Sequence, residues 1–187
     1  LFYWRLLTGE EINRQSLVEG DFSGQFVAFA HYQAVRLGQG QVPLWNPYTY
    51  SGHPFLADTQ SAVFYPPRLV TIALLNLTGG STPGRMYDAL QKEMVAHAVL
   101  ASLLMYAFVR RLTVRSRSSY AAGLVAGLTF AYGGYLTAYP QRQLAVMEAG
   151  IWLPLSLLGI HLATNSERTG WPWFILAGAG LAFSLMA

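Results

Sequence analysis

Four long apolar runs limit what this chain can fold into: residues 94–109, 120–139, 144–163 and 171–187, which together hold a single charged side chain, Glu148. Each has, or reaches with its flanks, the roughly 17–25 residues a helix needs to cross a bilayer. In lipid every backbone polar group needs a partner within the chain, so runs of this length predict helices. Composition agrees: 53% of residues are hydrophobic and 11% are charged, against about 25% charged in an ordinary soluble domain. The pattern predicts an all-α integral membrane protein of several spans. Cysteine is absent, which excludes disulfides, a thiol nucleophile and thiolate metal ligands. There is no Ser-His-Asp order, no GxxxxGK[ST] phosphate loop and no basic-aromatic surface, so soluble nucleotide chemistry and nucleic-acid binding are not expected.

The basic residues give an orientation. Arg110, Arg111, Arg115 and Arg117 crowd the short connection RRLTVRSRSS, which the positive-inside rule places in the cytoplasm. Residues 94–109 then run inward and 120–139 outward. The connector 140–143 lies outside, 144–163 run inward, and TNSERTG is cytoplasmic. LFYWRLL at residues 1–7 reads as the aromatic outer end of an earlier span, with Arg5 able to snorkel. The division expected is therefore 1–8 as the end of a first span, 9–93 as an extracytoplasmic loop, and 94–187 as four spans. The chain opens without Met and stops inside an apolar run, so it is expected to be part of a longer polytopic protein, truncated at its carboxy terminus.

The loop holds two kinds of element. Phe22, Phe26, Phe29 and Ala30 recur at helical spacing, with Gln25, His31, Gln33 and Arg36 elsewhere on the turn, which predicts an interfacial amphipathic helix over 22–37. PLWNPYTYSGHPFLADTQSAVFYPP follows, too rich in proline for a long helix or a central strand. It is also too aromatic for a solvated linker, and rings such as Trp45, Tyr48 and Tyr50 suit the headgroup level. An ordered, largely non-helical cover over 45–65 is expected. Residues 69–77 are too short to cross and read as re-entrant or interfacial.

GDFSGQ, then RLGQGQVPLWNPYTYSGHPFLADTQSAVFYPPRLV, FAYGGY and AGIWLPLSLLGIHL in that order resemble the amino-terminal part of the bacterial YfhO-like membrane proteins. The combination of Asp, PLWNP, GxP, AxxQ and YPP in one loop carries the resemblance, which covers most of the chain. It implies a helical bundle of the GT-C glycosyltransferase type in the bacterial cytoplasmic membrane. Such an enzyme moves a sugar from a polyprenyl-phosphate donor to an envelope acceptor on the outer face. The alternatives are a non-catalytic membrane subunit of a larger complex, with membrane-protein partners, and a transporter.

That chemistry needs a carboxylate to take the acceptor proton and a cation or donors to hold the departing phosphate. The resemblance makes Asp21 the base, matching the acidic residue of a first outer loop. Asp21 is also well placed to cap the helix that follows. Asp58 is the second catalytic candidate, with an Asx turn or helix cap as its plain structural reading. Arg142, an arginine in the outer connector, is the phosphate candidate, and lipid headgroups are its other partner. His53, Gln25, Trp45 and Glu148 complete the substrate-binding set. Glu148 lies about a turn beyond Arg142, so a structural contact between the two is the competing account. His97 and His161 read as interhelical hydrogen-bonding groups, and Gly123, Gly127, Gly133 and Gly134 as close-packing positions. No spacing among His31, Asp21, His53 and Asp58 repeats a metal motif, and no metal or organic cofactor is expected.

Overall fold

The computed structural model describes residues 2–12, 14–17, 20–114, 116–138, 142–165 and 170–187. Arg115 of the arginine connector, residues 139–141 before Arg142 and residues 166–169 of the second cytoplasmic connector lie outside the described residues. Among the described residues all regular structure is helical, apart from an isolated antiparallel bridge between Asn46 and His53. Two helical stretches are long and apolar enough to cross a membrane: Pro83–Leu112, with mean hydropathy 1.4, and Leu144–Thr164, with 1.5. Trp171–Met186 is apolar but shorter.

The chain forms two compact units. The first comprises Leu1–Val95, Arg142–Ala145 and Met186–Ala187; the second comprises Ala96–Gln141 and Val146–Leu185. In the first unit a short helix α1 (Trp4–Leu7) precedes a π-helical turn, Phe22–Phe26, that leads into α2 (Val27–Gly38). Phe22, Phe26, Phe29 and Ala30 are all buried, as the expected helical face requires. The proline-aromatic stretch then runs without regular helix except one 3₁₀ turn, Phe55–Ala57. Phe55 and Tyr65 are fully buried, while Trp45, Tyr48, Tyr50 and Phe64 stay exposed. Phe55 meets Phe29 edge-on at 5.1 Å and Tyr32 at 5.2 Å, and Val63 closes the cluster. Edge-to-face rings add to the energy of burial, so this cluster is what fastens the irregular stretch to α2.

Pro66 and Pro67 start α3 (Pro66–Leu77), where a missing N–H costs nothing. Residues 69–77, expected to be re-entrant or interfacial, thus form most of a twelve-residue helix of the first unit. It carries Arg68, a fully buried side chain. Gly80, at φ 84°, donates back to Leu75 O and closes the helix. Thr82 then accepts from the Arg85 amide and Pro83 opens the 30-residue α4 (Pro83–Leu112). Residues 83–93, read from the sequence as loop, are therefore helix. The charges of Arg85, Asp88, Lys92 and Glu93 hide that turn of α4 from a hydropathy criterion.

The second unit begins at Ala96, inside α4, and adds α5 (Ser119–Tyr132) and the single turn α6 (Gly134–Thr137). Residues 120–139, read as one span, are interrupted at Gly133, whose ψ of 161° leaves the helical region. Residues 144–163 divide into α7 (Leu144–Gly150) and α8 (Leu153–Thr164). Pro154 explains the division, because it has no N–H to offer and its ring crowds the carbonyl four residues back, at Gly150. α9 (Trp171–Met186) ends the series. Gly123 and Gly127 are close-packing positions as expected: a β-carbon on Gly127 would lie 2.6 Å from Ser102 O of α4, and one on Gly123 3.0 Å from Tyr106 O; one on Gly134, expected to be another such position, would have nothing within 4 Å. Small residues of this kind let helix backbones approach where lipid offers no hydrophobic drive to associate.

Candidate functional site

Asp21 lies in helical conformation at the start of the π-helical turn, and its carboxylate makes no capping bond. It instead accepts from Nε2 of Gln143, 122 positions along the chain and part of the same unit. Gln143 is buried, whereas Asp21 and Arg142 are exposed. A β-carbon on Gly20 would lie 3.7 Å from Cβ of Arg142. The short segment Arg142–Ala145 thus sets the aliphatic part of the Arg142 side chain against Gly20 while the next residue anchors the Asp21 carboxylate. Asp21 and Arg142, far apart in sequence, lie near one another in the first unit. The capping alternative for Asp21 is not realised, because the π-helical turn draws Asp21 itself into the helix.

Along α2 opens a groove of about 850 Å³, lined by Ser23, His31, Tyr32, Arg36, Trp45 and Tyr48 among others. Tyr32 donates to the Trp45 carbonyl at 2.5 Å. The Trp45 indole covers Gly52, where a β-carbon would meet the ring at 2.9 Å. His31 shares a hydrogen bond with Ser81 at 3.0 Å. Nε of Arg36 is buried, and among the described residues nothing accepts from it. A buried guanidinium nitrogen without an acceptor is costly, so an anionic or polar oxygen in the groove would relieve it.

His53 and Asp58 lie in the loop that borders this groove. His53 Nδ1 is 2.8 Å from Thr49 Oγ1, and its Nε2 is 3.4 Å from Asp58 Oδ2, an ion-pair distance longer than a good hydrogen bond. Asp58 also accepts from the Gln60 amide at 2.8 Å through Oδ1, the Asx turn that the sequence allows. Gln25 donates to Gln60 Oε1 at 2.5 Å, so it ties α2 to the Asp58 turn. Asp21, Asp58, Arg142, His53, Gln25 and Trp45 all belong to the first unit.

Glu148 belongs to the second unit and is buried on α7. A carboxylate oxygen of Glu148 lies within 4.8 Å of a ring nitrogen of His97, also buried there. In the first unit, buried Arg68 donates from Nε to Glu93 Oε1 at 3.0 Å. Sequence reasoning missed Gln143, Thr49, Arg36 and the Arg68–Glu93 pair. Two signals were available: an amide directly beside Arg142 in QRQ, and a threonine four residues before His53 in a turn-forming stretch. No protein-family model, curated protein or solved structure matches this chain.

Proposed function

We propose that this chain is part of a membrane glycosyltransferase of the GT-C type, YfhO-like, that moves a sugar from a polyprenyl-phosphate donor to a hydroxyl of an envelope acceptor outside the bacterial cytoplasmic membrane. The observation that supports the reading is that the Asp21 carboxylate is held by Gln143 and unused for capping, with the stem of the neighbouring Arg142 against Gly20. Asp21 takes the proton of the acceptor hydroxyl as that oxygen bonds to the sugar carbon. The bond from that carbon to the phosphate oxygen breaks, and polyprenyl phosphate leaves with its new charge facing Arg142. A single displacement inverts the sugar carbon and needs no enzyme nucleophile. The groove beside α2 supplies ring faces and the Arg36 guanidinium for a sugar or phosphate. In this reading the four apolar runs span the membrane, the 9–93 region faces outward, and no metal or organic cofactor is assigned.

The test uses membranes containing the protein and a labelled polyprenyl-phosphate hexose. Asp21→Asn keeps an acceptor for Gln143 but removes the base, so transfer is expected to fall on the order of 100-fold or more with folded protein unchanged. Asp21→Ala loses the same activity and leaves the buried Gln143 amide without its partner, at about 1–3 kcal/mol of stability. Near-normal transfer by the Asn variant would remove Asp21 from the mechanism.

A transporter is the second reading, favoured by the buried His97 and Glu148 of the second unit. Ionisable groups in apolar helices mark substrate or proton paths when they face a cavity. Glu148→Gln abolishing solute uptake, in a protein with no sugar transfer, would favour it.

A further inference from the structure

We infer that Thr49, His53 and Asp58 form a second reactive centre in the first unit, in which the Thr49 hydroxyl is a nucleophile toward activated acyl esters bound in the aromatic groove. The three side chains adjoin one another, with His53 Nε2 buried, near Asp58 and not yet hydrogen-bonded. Thr49 Oγ1 lies 2.8 Å from His53 Nδ1, and His53 Nε2 lies 3.4 Å from Asp58 Oδ2. This is the order of nucleophile, base and orienting carboxylate that activates a hydroxyl, and such contacts are often loose until substrate binds. His53 is largely buried, at 14% side-chain exposure, so water does not compete freely for its nitrogens. Its ring is boxed by Phe29 at 5.8 Å, Tyr50 at 5.8 Å and Phe55 at 6.1 Å.

Backbone strain marks the same place. Directly after Thr49 come Tyr50 at φ 53° and Ser51 at φ 60°, then Gly52 at φ 101°. Only the last residue suits that region without cost, and left-handed non-glycine residues persist only where the surrounding structure holds them. The turn is held by the Asn46–His53 bridge and by the Gly52 amide donating to Thr49 O at 2.8 Å. Thr49 thus opens a strained turn at the groove wall, with His53 four residues on. Thr49 lines that groove together with Trp45 and Tyr48, whose ring faces can stack on an apolar acyl or aryl group.

The step balances with one co-reactant, the acyl ester. Thr49 Oγ bonds to the ester carbonyl carbon, its proton passes to His53 Nδ1, and Asp58 stabilises the imidazolium through Nε2–H. The bond from carbonyl carbon to the leaving oxygen then breaks, and His53 returns the proton to that oxygen. Water attacks the acyl-Thr49 ester with the same proton path, releasing the acid and restoring the hydroxyl. This chemistry shares the groove with the proposed sugar site but does not rest on sugar transfer, since neither Asp21 nor Arg142 takes part.

The experiment treats the intact, membrane-extracted protein with a fluorophosphonate and, separately, with p-nitrophenyl acetate, and maps adducts by mass spectrometry. One adduct is expected, on the peptide bearing Thr49, together with a burst of p-nitrophenolate. Thr49→Ser should keep the adduct and Thr49→Val should lose it. His53→Gln should slow labelling on the order of 100-fold. Asp58→Asn, which retains the acceptor for the Gln60 amide, should slow it without unfolding the turn, as limited proteolysis would report. An adduct elsewhere, no adduct on a folded protein, or labelling of His53→Gln at the unaltered rate would each overturn the assignment.

Discussion

Single residues matter here where a charge or amide leaves water. Arg68 and Glu93 are the clearest case, with side chains 1% and 4% exposed and 3.0 Å apart. Breaking such a pair by removing one partner costs about 3–5 kcal/mol, whereas replacing both with apolar residues of similar size is often neutral. Arg68→Met is therefore expected to lower the melting temperature sharply, and Arg68→Met with Glu93→Leu to recover most of the loss. If the double variant is no better than the single, the pair is held by more than its mutual attraction. Asp21 shows what a sequence discloses at this scale. Its acidity and its place before a helix were legible, but its use was not, because the amide that engages it is 122 positions away. The opposite holds for Thr49 and His53, whose contact is local and was overlooked because no Ser-His-Asp order draws attention to a threonine inside one turn.

Helices and their crossings obey pattern at one level and geometry at the next. Apolar length located α4, α8 and α9, and the spacing of Phe22, Phe26 and Phe29 located α2. Interruptions were harder to read, since the Gly133 break and the Pro154 division sit inside uninterrupted apolar sequence. Charged residues concealed the first turns of α4 in the same way. Which glycine meets a neighbour is also invisible to composition. In α9 the sequence GAG offers two glycines on different faces: a β-carbon on Gly178 would have nothing within 4 Å, while one on Gly180 would lie 2.9 Å from Ser156 N of α8. Alanine at 178 should be neutral or raise stability by up to about 1 kcal/mol through helix propensity. Alanine at 180 should instead cost about 1–3 kcal/mol by forcing α8 and α9 apart. Thermal unfolding of both variants in detergent checks the contrast. Equal effects would mean that α9 does not pack on α8 through Gly180.

At the scale of the whole molecule, two helical stretches long and apolar enough to cross a membrane, with exposed rings on the proline-aromatic stretch, agree with a membrane protein. The four-span topology proposed above makes a sharper demand. It puts Arg110, Arg111 and Arg117, which flank the α4–α5 connection, in the cytoplasm, because translocating such a cluster is unfavourable. It puts the Gly38–Pro43 region, between α2 and the aromatic stretch, on the other side. The absence of native cysteine makes single-cysteine variants clean reporters. Cysteines at Gln41 and at Ser116 suit the purpose, since both side chains are exposed and neither belongs to a helix. In intact cells an impermeant maleimide should label Gln41→Cys within minutes and leave Ser116→Cys unlabelled until the membrane is opened. The reverse pattern would place Asp21, the aromatic groove and the Thr49–His53–Asp58 relay in the cytoplasm. Sugar transfer from an outward-facing polyprenyl-phosphate donor would then be untenable for this chain, while the acyl chemistry of Thr49, which depends on no particular side of the membrane, would stand.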